Sequence, residues 1–181
     1  RWVAHRGAPT NVWWGDRSRS GLVRGPLGWA ADVDVGRIAN PLEAESNYDT
    51  SMKQTVEMRS PDGSADLYQL LAGLCVACRH GFEMADALEV AERTYVNVNI
   101  HDKANEQRLA QLDCLPDNCV ASAACLERQR EVYQQHGVFS EGMIDGIIAE
   151  LRSYNDETLR DDLKGNAEGM MPLVERFFHC G

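Results

Sequence analysis

The chain has 181 residues, 44% of them hydrophobic, and a formal net charge of −10. That length suffices for one buried core, or one core and a small appendage. The acidic balance argues against a nucleic-acid partner, whose binding rests on clustered Lys and Arg releasing counterions. No run of residues is long and apolar enough to span a membrane. The Arg1-Trp2 start carries neither an apolar signal region nor a cleavage site, so a soluble, cytoplasmic protein is expected. The lack of an initiator Met points to an excerpt from a longer polypeptide.

Before Asp66, short strand-like runs such as Asn11 to Trp14 and Leu22 to Arg24 are separated by Gly, Pro, Asp and Asn, the punctuation of an antiparallel sheet with loops. Two charged runs, Ser18 to Arg24 and Val56 to Asp62, read as β-strands. Between them, Leu27 to Met52 carries Gly28, Gly36, Asn40, Pro41, Asn47 and several acids, and is expected to be a long mobile loop. From Leu67 the pattern changes: Leu67, Leu70, Leu71, Leu74, Cys75 and Cys78 recur at offsets of three and four, the stripe of a packed amphipathic helix that Gly81 would end. Ala85 to Val96 reads as a second helix, and Asp117 to His136 as a third, stopped at Gly137. Ser140 is an N-cap for a fourth, with Met143, Ile144, Ile147, Ile148 and Leu151 on its buried face. Glu168 to Phe178 is the last, offering Met170, Met171, Val174, Phe177 and Phe178. The expected class is α+β. An incomplete antiparallel sheet over residues 1–65, with the 27–52 loop inserted, precedes a mainly helical C-terminal subdomain over 66–181.

The chemistry concentrates in the two charged runs. Arg19, Arg24 and Arg59 come with Glu57 just before the first long helix. Carboxylates are hard oxygen ligands for divalent cations, and arginine forks bind carboxylate or phosphate bidentately. The set therefore suits metal-assisted phosphoryl transfer with an anionic substrate and ATP. Arg and Glu on neighbouring strands also form ordinary surface ion pairs, and more often do only that.

The order of the motifs adds a resemblance. Glu57-Met-Arg59-Ser-Pro61-Asp62-Gly-Ser64-Ala65-Asp66-Leu-Tyr68, followed by a helix containing Ala72-Gly73-Leu74, resembles the segment of glutamine synthetases where a metal-binding Glu and a substrate-binding Arg lead into a helix. The upstream run resembles that family's Asn-Arg-Ser-Ala-x-x-Arg motif, with Ser18 at the Asn position. Gly7-Ala8-Pro9-Thr10 falls where the family has Glu-Ala-Pro. The resemblance implies the C-terminal part of the catalytic domain of an ATP-dependent glutamate–ammonia ligase that forms γ-glutamyl phosphate. It implies Glu57 as a ligand of Mg2+ or Mn2+, Arg1 and Arg59 on the substrate glutamate, Arg19 on both glutamate and the transferring phosphate, and Arg24 on the ATP phosphates. Arg19 and Arg59 would be the catalytic pair. Glutamate, ammonia and ATP are the implied partners, and a ring-shaped hexamer or dodecamer the implied assembly.

This sequence departs from the family pattern in four places. Gly7 stands at the position of the flap glutamate that helps deprotonate ammonium, and has no side chain to do so. Ser18 replaces Asn. The spacing from Arg24 to Glu57 is long, which leaves Lys53 only a loose match to the family's ATP-binding lysine. The remaining metal-binding glutamates and a histidine lie upstream of Arg1 in the family, so the isolated piece is expected to be inactive. Gly7 keeps open a γ-glutamyl amine ligase that uses an organic amine, and a non-catalytic assembly or regulatory domain is the alternative of a different class.

The remaining reactive residues read as structural. Cys75 and Cys78 lie in an apolar stripe with no second CxxC, so they are expected to be reduced core thiols. Cys114, Cys119 and Cys125 have no zinc-site spacing, and His5, His80, His101, His136 and His179 form no ligand pattern. The Phe177-Phe178-His179-Cys180 end has the character of a docking tail, although an ordinary core helix accounts for it nearly as well.

Overall fold

A computed structural model of the chain describes residues 10–16, 21–25, 35–44, 55–61, 65–96 and 110–178. They form a small sheet and a set of helices, a mixed α+β architecture with a mostly helical C-terminal part. Two compact units emerge, each with its own buried apolar cluster.

One unit draws on Ala4–Ser60 and Glu89–Leu115. Its entry segment pairs with a distant stretch: Val12 N–H donates to the Asp113 carbonyl at 2.8 Å and Leu115 N–H to the Thr10 carbonyl at 2.9 Å, around an antiparallel Asn11–Cys114 bridge. Strand β1 (Trp14–Asp16) then lies beside β2 (Val23–Gly25), and β2 beside β3 (Glu57–Met58). The expected antiparallel pairing holds for β2 and β3, where Arg24 faces Glu57, but β1 and β2 run parallel, with Gly15 opposite Arg24. Apolar alternation identifies a strand without giving its direction. Trp13, Val96 and Leu112 form the buried cluster beneath. Gly15 is required here: a Cβ on it would sit closer than 3.0 Å to the Val96 carbonyl oxygen, a backbone atom that cannot swing away. The 27–52 segment, read as an irregular loop, contains a short helix, α1 (Val35–Ala39); residues 27–34 and 45–52 lie outside the described residues. Helix α3 (Ala87–Thr94), shorter than the expected 85–96, leads into Tyr95 and Val96.

The other unit draws on Pro61–Leu88 and Pro116–Gly181. Its helices are α2 (Leu67–Glu83), α4 (Cys119–Arg128), α5 (Arg130–Gln134), α6 (Glu141–Ser153), α7 (Leu159–Asp162) and α8 (Ala167–Phe177). Side-chain caps set the starts of four of them. Asp66 accepts from Tyr68 and Gln69 N–H, Asn118 from Ala121, Ser140 from Met143 as expected, and Asn166 from Gly169. Val76, Ala123, Phe139, Ile144 and Ile148 form the core, with Tyr133 meeting Phe139 edge to face at 5.8 Å. Three boundaries differ from the sequence reading. Gly81 lies inside α2, which runs on to Glu83. The helix expected over 117–136 breaks at Gln129, whose N–H is shared between the Cys125 and Leu126 carbonyls at 3.1 Å. The short α7 was not foreseen. Gly137, at φ +67°, supplies the expected stop.

The apolar stripe assigned to the inside of α2 is the larger correction. Ala72 and Val76 are the residues packed into the core, whereas Leu67 and Leu71 are 68% and 60% exposed and Cys75 and Cys78 lie on the surface. The two cysteines are therefore not core thiols. A helix carrying apolar residues on two faces offers periodicity that both faces satisfy, and the stripe with more members is not the one that meets α4, α5 and α6. Helix α8 shows the same ambiguity. Met170, Met171, Val174 and Phe178 are exposed, while Leu173 and Phe177 are half-buried, Phe177 against the Tyr154 ring at 6.0 Å.

Candidate active site

The β2–β3 register builds the charged cluster. Arg24 and Glu57 are directly opposed in an antiparallel pair, so their side chains share one face, and Arg59, two residues beyond Glu57, returns to that face. Arg59 N–H donates to the Leu22 carbonyl at 2.9 Å, which extends the pairing one step past β3. Arg24 Nη2 donates to Glu57 Oε2, and Arg59 Nε lies 3.3 Å from Glu57 Oε1. The carboxylate thus bridges two guanidiniums and leaves the trio with one excess positive charge. The arginine side chains are 22% and 19% exposed against 39% for Glu57. This partial shielding strengthens attraction for an incoming anion relative to a fully solvated site.

The trio has a defined preference among ligands. Arg24 Nε is buried and has no hydrogen-bond partner among the described residues, so a phosphate or carboxylate oxygen would satisfy it. Gly15, opposite Arg24 on the β1 side, places no side chain beside it. A divalent cation finds less here. Glu57 is the trio's one carboxylate, and among the described residues no group of three or more His, Cys, Asp or Glu is placed to hold a metal ion. The described residues do not by themselves make a metal site.

Of the residues singled out in the sequence, Arg24, Glu57 and Arg59 are brought together. Arg1 and Arg19, with Gly7, Ser18 and Lys53, lie outside the described residues. The sequence reading missed what stands on the other side of β1. Tyr95 donates its hydroxyl to Asp16 Oδ2 at 2.9 Å, and this hydrogen bond, followed by burial and the Asp16 charge, pushes the phenol pKa up. The Trp14 indole N–H donates to the Ala91 carbonyl at 2.7 Å, and its ring lies 4.6 Å from that of Tyr95. The signal was present in Trp13-Trp14-Gly15-Asp16, but nothing in that run names a partner about 80 residues away.

Among the described residues no helix is long and apolar enough to cross a membrane. The family described as glutamine synthetase, catalytic domain, matches this chain over residues 1–164 of its 181. No curated protein matches it.

Proposed function

Because the chain belongs to the glutamine synthetase catalytic-domain family, and is thereby part of a ligase, we propose that it contributes one side of a site for ATP-dependent amidation of glutamate with ammonia. The observation that carries this reading is the Arg24–Glu57–Arg59 trio, with Arg24 and Arg59 joined through one carboxylate and a buried Arg24 Nε that has no acceptor among the described residues. Arg24 would bind the ATP phosphates, Arg59 and Arg1 the substrate glutamate, and Arg19 both glutamate and the transferring phosphoryl group.

The reaction runs in two displacements. An oxygen of the glutamate γ-carboxylate attacks the terminal phosphorus of ATP and ADP leaves. The nitrogen of ammonia then attacks the acyl carbon and phosphate leaves, giving glutamine once the nitrogen has lost a proton. Arginine charge held on a sheet offsets the charge spread over the equatorial phosphoryl oxygens, and fixed placement aligns attacker and leaving group. Glu57 keeps Arg24 and Arg59 from splaying and retains free lone pairs on its oxygens. A divalent cation, Mg2+ or Mn2+, supplies further charge neutralisation when bound. Glu57 would be one of its ligands, with the other donors supplied from outside the described residues. Ring-shaped homo-oligomers are the assembly this reading carries with it.

Gly7 keeps a second acceptor open. Without a flap carboxylate to take a proton from ammonium, an organic amine is an alternative nucleophile at the same acyl phosphate. Assays of the full-length protein with ATP, glutamate and either ammonium or a panel of primary amines separate the two. Phosphate release with ammonium, abolished in Arg59→Ala and with a raised KM for ATP in Arg24→Ala, is the expected result. Release only with organic amines moves the assignment to the amine ligase, and release with neither overturns the catalytic reading in favour of an assembly or regulatory domain. The 181-residue chain alone is expected to be silent.

A further inference from the structure

Strand β1 stands between two partners, the Tyr95–Val96 segment on one side and β2 on the other. Each strand of the sheet has at most three residues, too few for ladder hydrogen bonds alone to fix a register securely. Register matters here, since a slip of one residue would carry Arg24 to the opposite face and away from Glu57 and Arg59. Besides the β2 ladder and the pairing of residues 10–12 with 113–115, β1 is held by residues 91–96. Val96 N–H donates to the Trp14 carbonyl at 2.9 Å, the Trp14 indole is anchored on the Ala91 carbonyl, and Tyr95 O–H reaches Asp16. The Asp16 carboxylate also lies against Gly25, the neighbour of Arg24: its Oδ1 is 3.0 Å from where a Gly25 Cβ would be. Asp16 is thereby held from one side by Tyr95 and packed on the other against the strand that carries Arg24.

We infer that Asp16 and Tyr95 are positioning residues for the trio, a strap that keeps β1 in register with β2 and so keeps Arg24 opposite Glu57. The functional part of this inference rests on the ligase reading above; the strap itself does not. Tyr95→Phe keeps the ring and its contact with Trp14 and removes only the hydroxyl. Asp16→Ala removes the acceptor, and Asp16→Asn retains an oxygen able to accept from Tyr95.

Two readouts test the inference. In the 181-residue chain, amide exchange at residues 22–25 and 57–59 is expected to speed up about fivefold in Tyr95→Phe and Asp16→Ala, the effect of losing one partly buried hydrogen bond, and to stay near wild type in Asp16→Asn. In the full-length protein, the first two variants raise the KM for ATP several-fold with kcat within about twofold, and Asp16→Asn restores it, a split that general loss of stability does not produce. Unchanged exchange in Tyr95→Phe and Asp16→Ala overturns the strap. Faster exchange with unchanged KM confines it to a structural role and overturns positioning. If wild-type full-length protein shows no ligase activity, the functional reading of the site fails, and the exchange result alone judges the strap.

Discussion

Replacing Glu57 by Gln tests whether the trio is more than an ion pair. At 3.3 Å the attraction between Arg59 and Glu57 is worth ~5 kcal/mol gross at an effective dielectric near 20. Desolvation and the ordering of long side chains cancel most of that, and partly exposed pairs are worth about 0.2–1 kcal/mol each in net terms. Two such pairs meet at Glu57, and Gln retains a carbonyl that can still accept from Arg24 Nη2. The loss of unfolding free energy is therefore expected to be about 1 kcal/mol, read as a small fall in the urea midpoint with an unchanged slope. If Glu57 also binds a metal in the full-length enzyme, the same substitution raises the apparent magnesium requirement by at least the ~10-fold that loss of an outer-shell partner already costs. Activity measured against magnesium concentration decides it: a wild-type curve in Glu57→Gln, with only the midpoint shift, refutes the metal assignment and weakens that of Arg59 with it.

Other expectations concern the helical unit. Ile144 is 1% exposed at the centre of its core, so Ile144→Ala is expected to cost about 2–5 kcal/mol, whereas Met143→Ala at a 43% exposed neighbour stays within about 1 kcal/mol; equal effects in denaturant titrations would overturn the core assignment. Burial pushes the Asp156 carboxyl up, but hydrogen bonds from the Cys119 N–H and side chain and from the Val120 N–H outweigh it and hold its pKa below the usual carboxylate value. A depressed folded pKa contributes stability that is present above the unfolded value and lost as pH falls through the folded one. Asp156→Asn keeps an accepting oxygen but loses the charge at the helix N-terminus, so it should be less stable than wild type by about 0.3–1 kcal/mol at neutral pH, the gap closing below about pH 4; a gap that does not change with pH would refute this. Cys75 and Cys78 are exposed and should alkylate rapidly in the native chain, ahead of the half-buried Cys119 and Cys125; mass spectrometry of timed iodoacetamide reactions gives the order, and protection of the first two would contradict the orientation of α2.

What could be read from residues alone was the local chemistry. Ser140 and Gly137 announced their helix ends, and the α6 face was found through Ile144 and Ile148, although Met143, expected on that buried face, is 43% exposed at its edge. Motif order gathered Arg24, Glu57 and Arg59 into one candidate site, but neither the opposition of Arg24 and Glu57 nor the bridge to Arg59 follows from it, because both depend on register. Helix α2 misled because it carries apolar residues on more than one face, so periodicity identified the helix without its inward side. The parallel run of β1 and β2 and the reach of Tyr95 to Asp16 are long-range facts, set by which backbone groups find partners far along the chain.

The carboxylate at the start of α4 also bears on how the chain is made. Asp156 accepts from the Cys119 N–H, 37 residues earlier, at 2.8 Å. At a synthesis rate of about 5–20 residues per second, that interval lasts roughly 2–7 s. During it, α4 begins life with the local Asn118 cap alone, and its packing partner α6, which brings Ile144 and Ile148, emerges only in the second half. A nascent chain arrested before Asp156 would therefore display an α4 that frays at its first turn. Truncations that spare every residue of α4 are therefore expected to loosen it still.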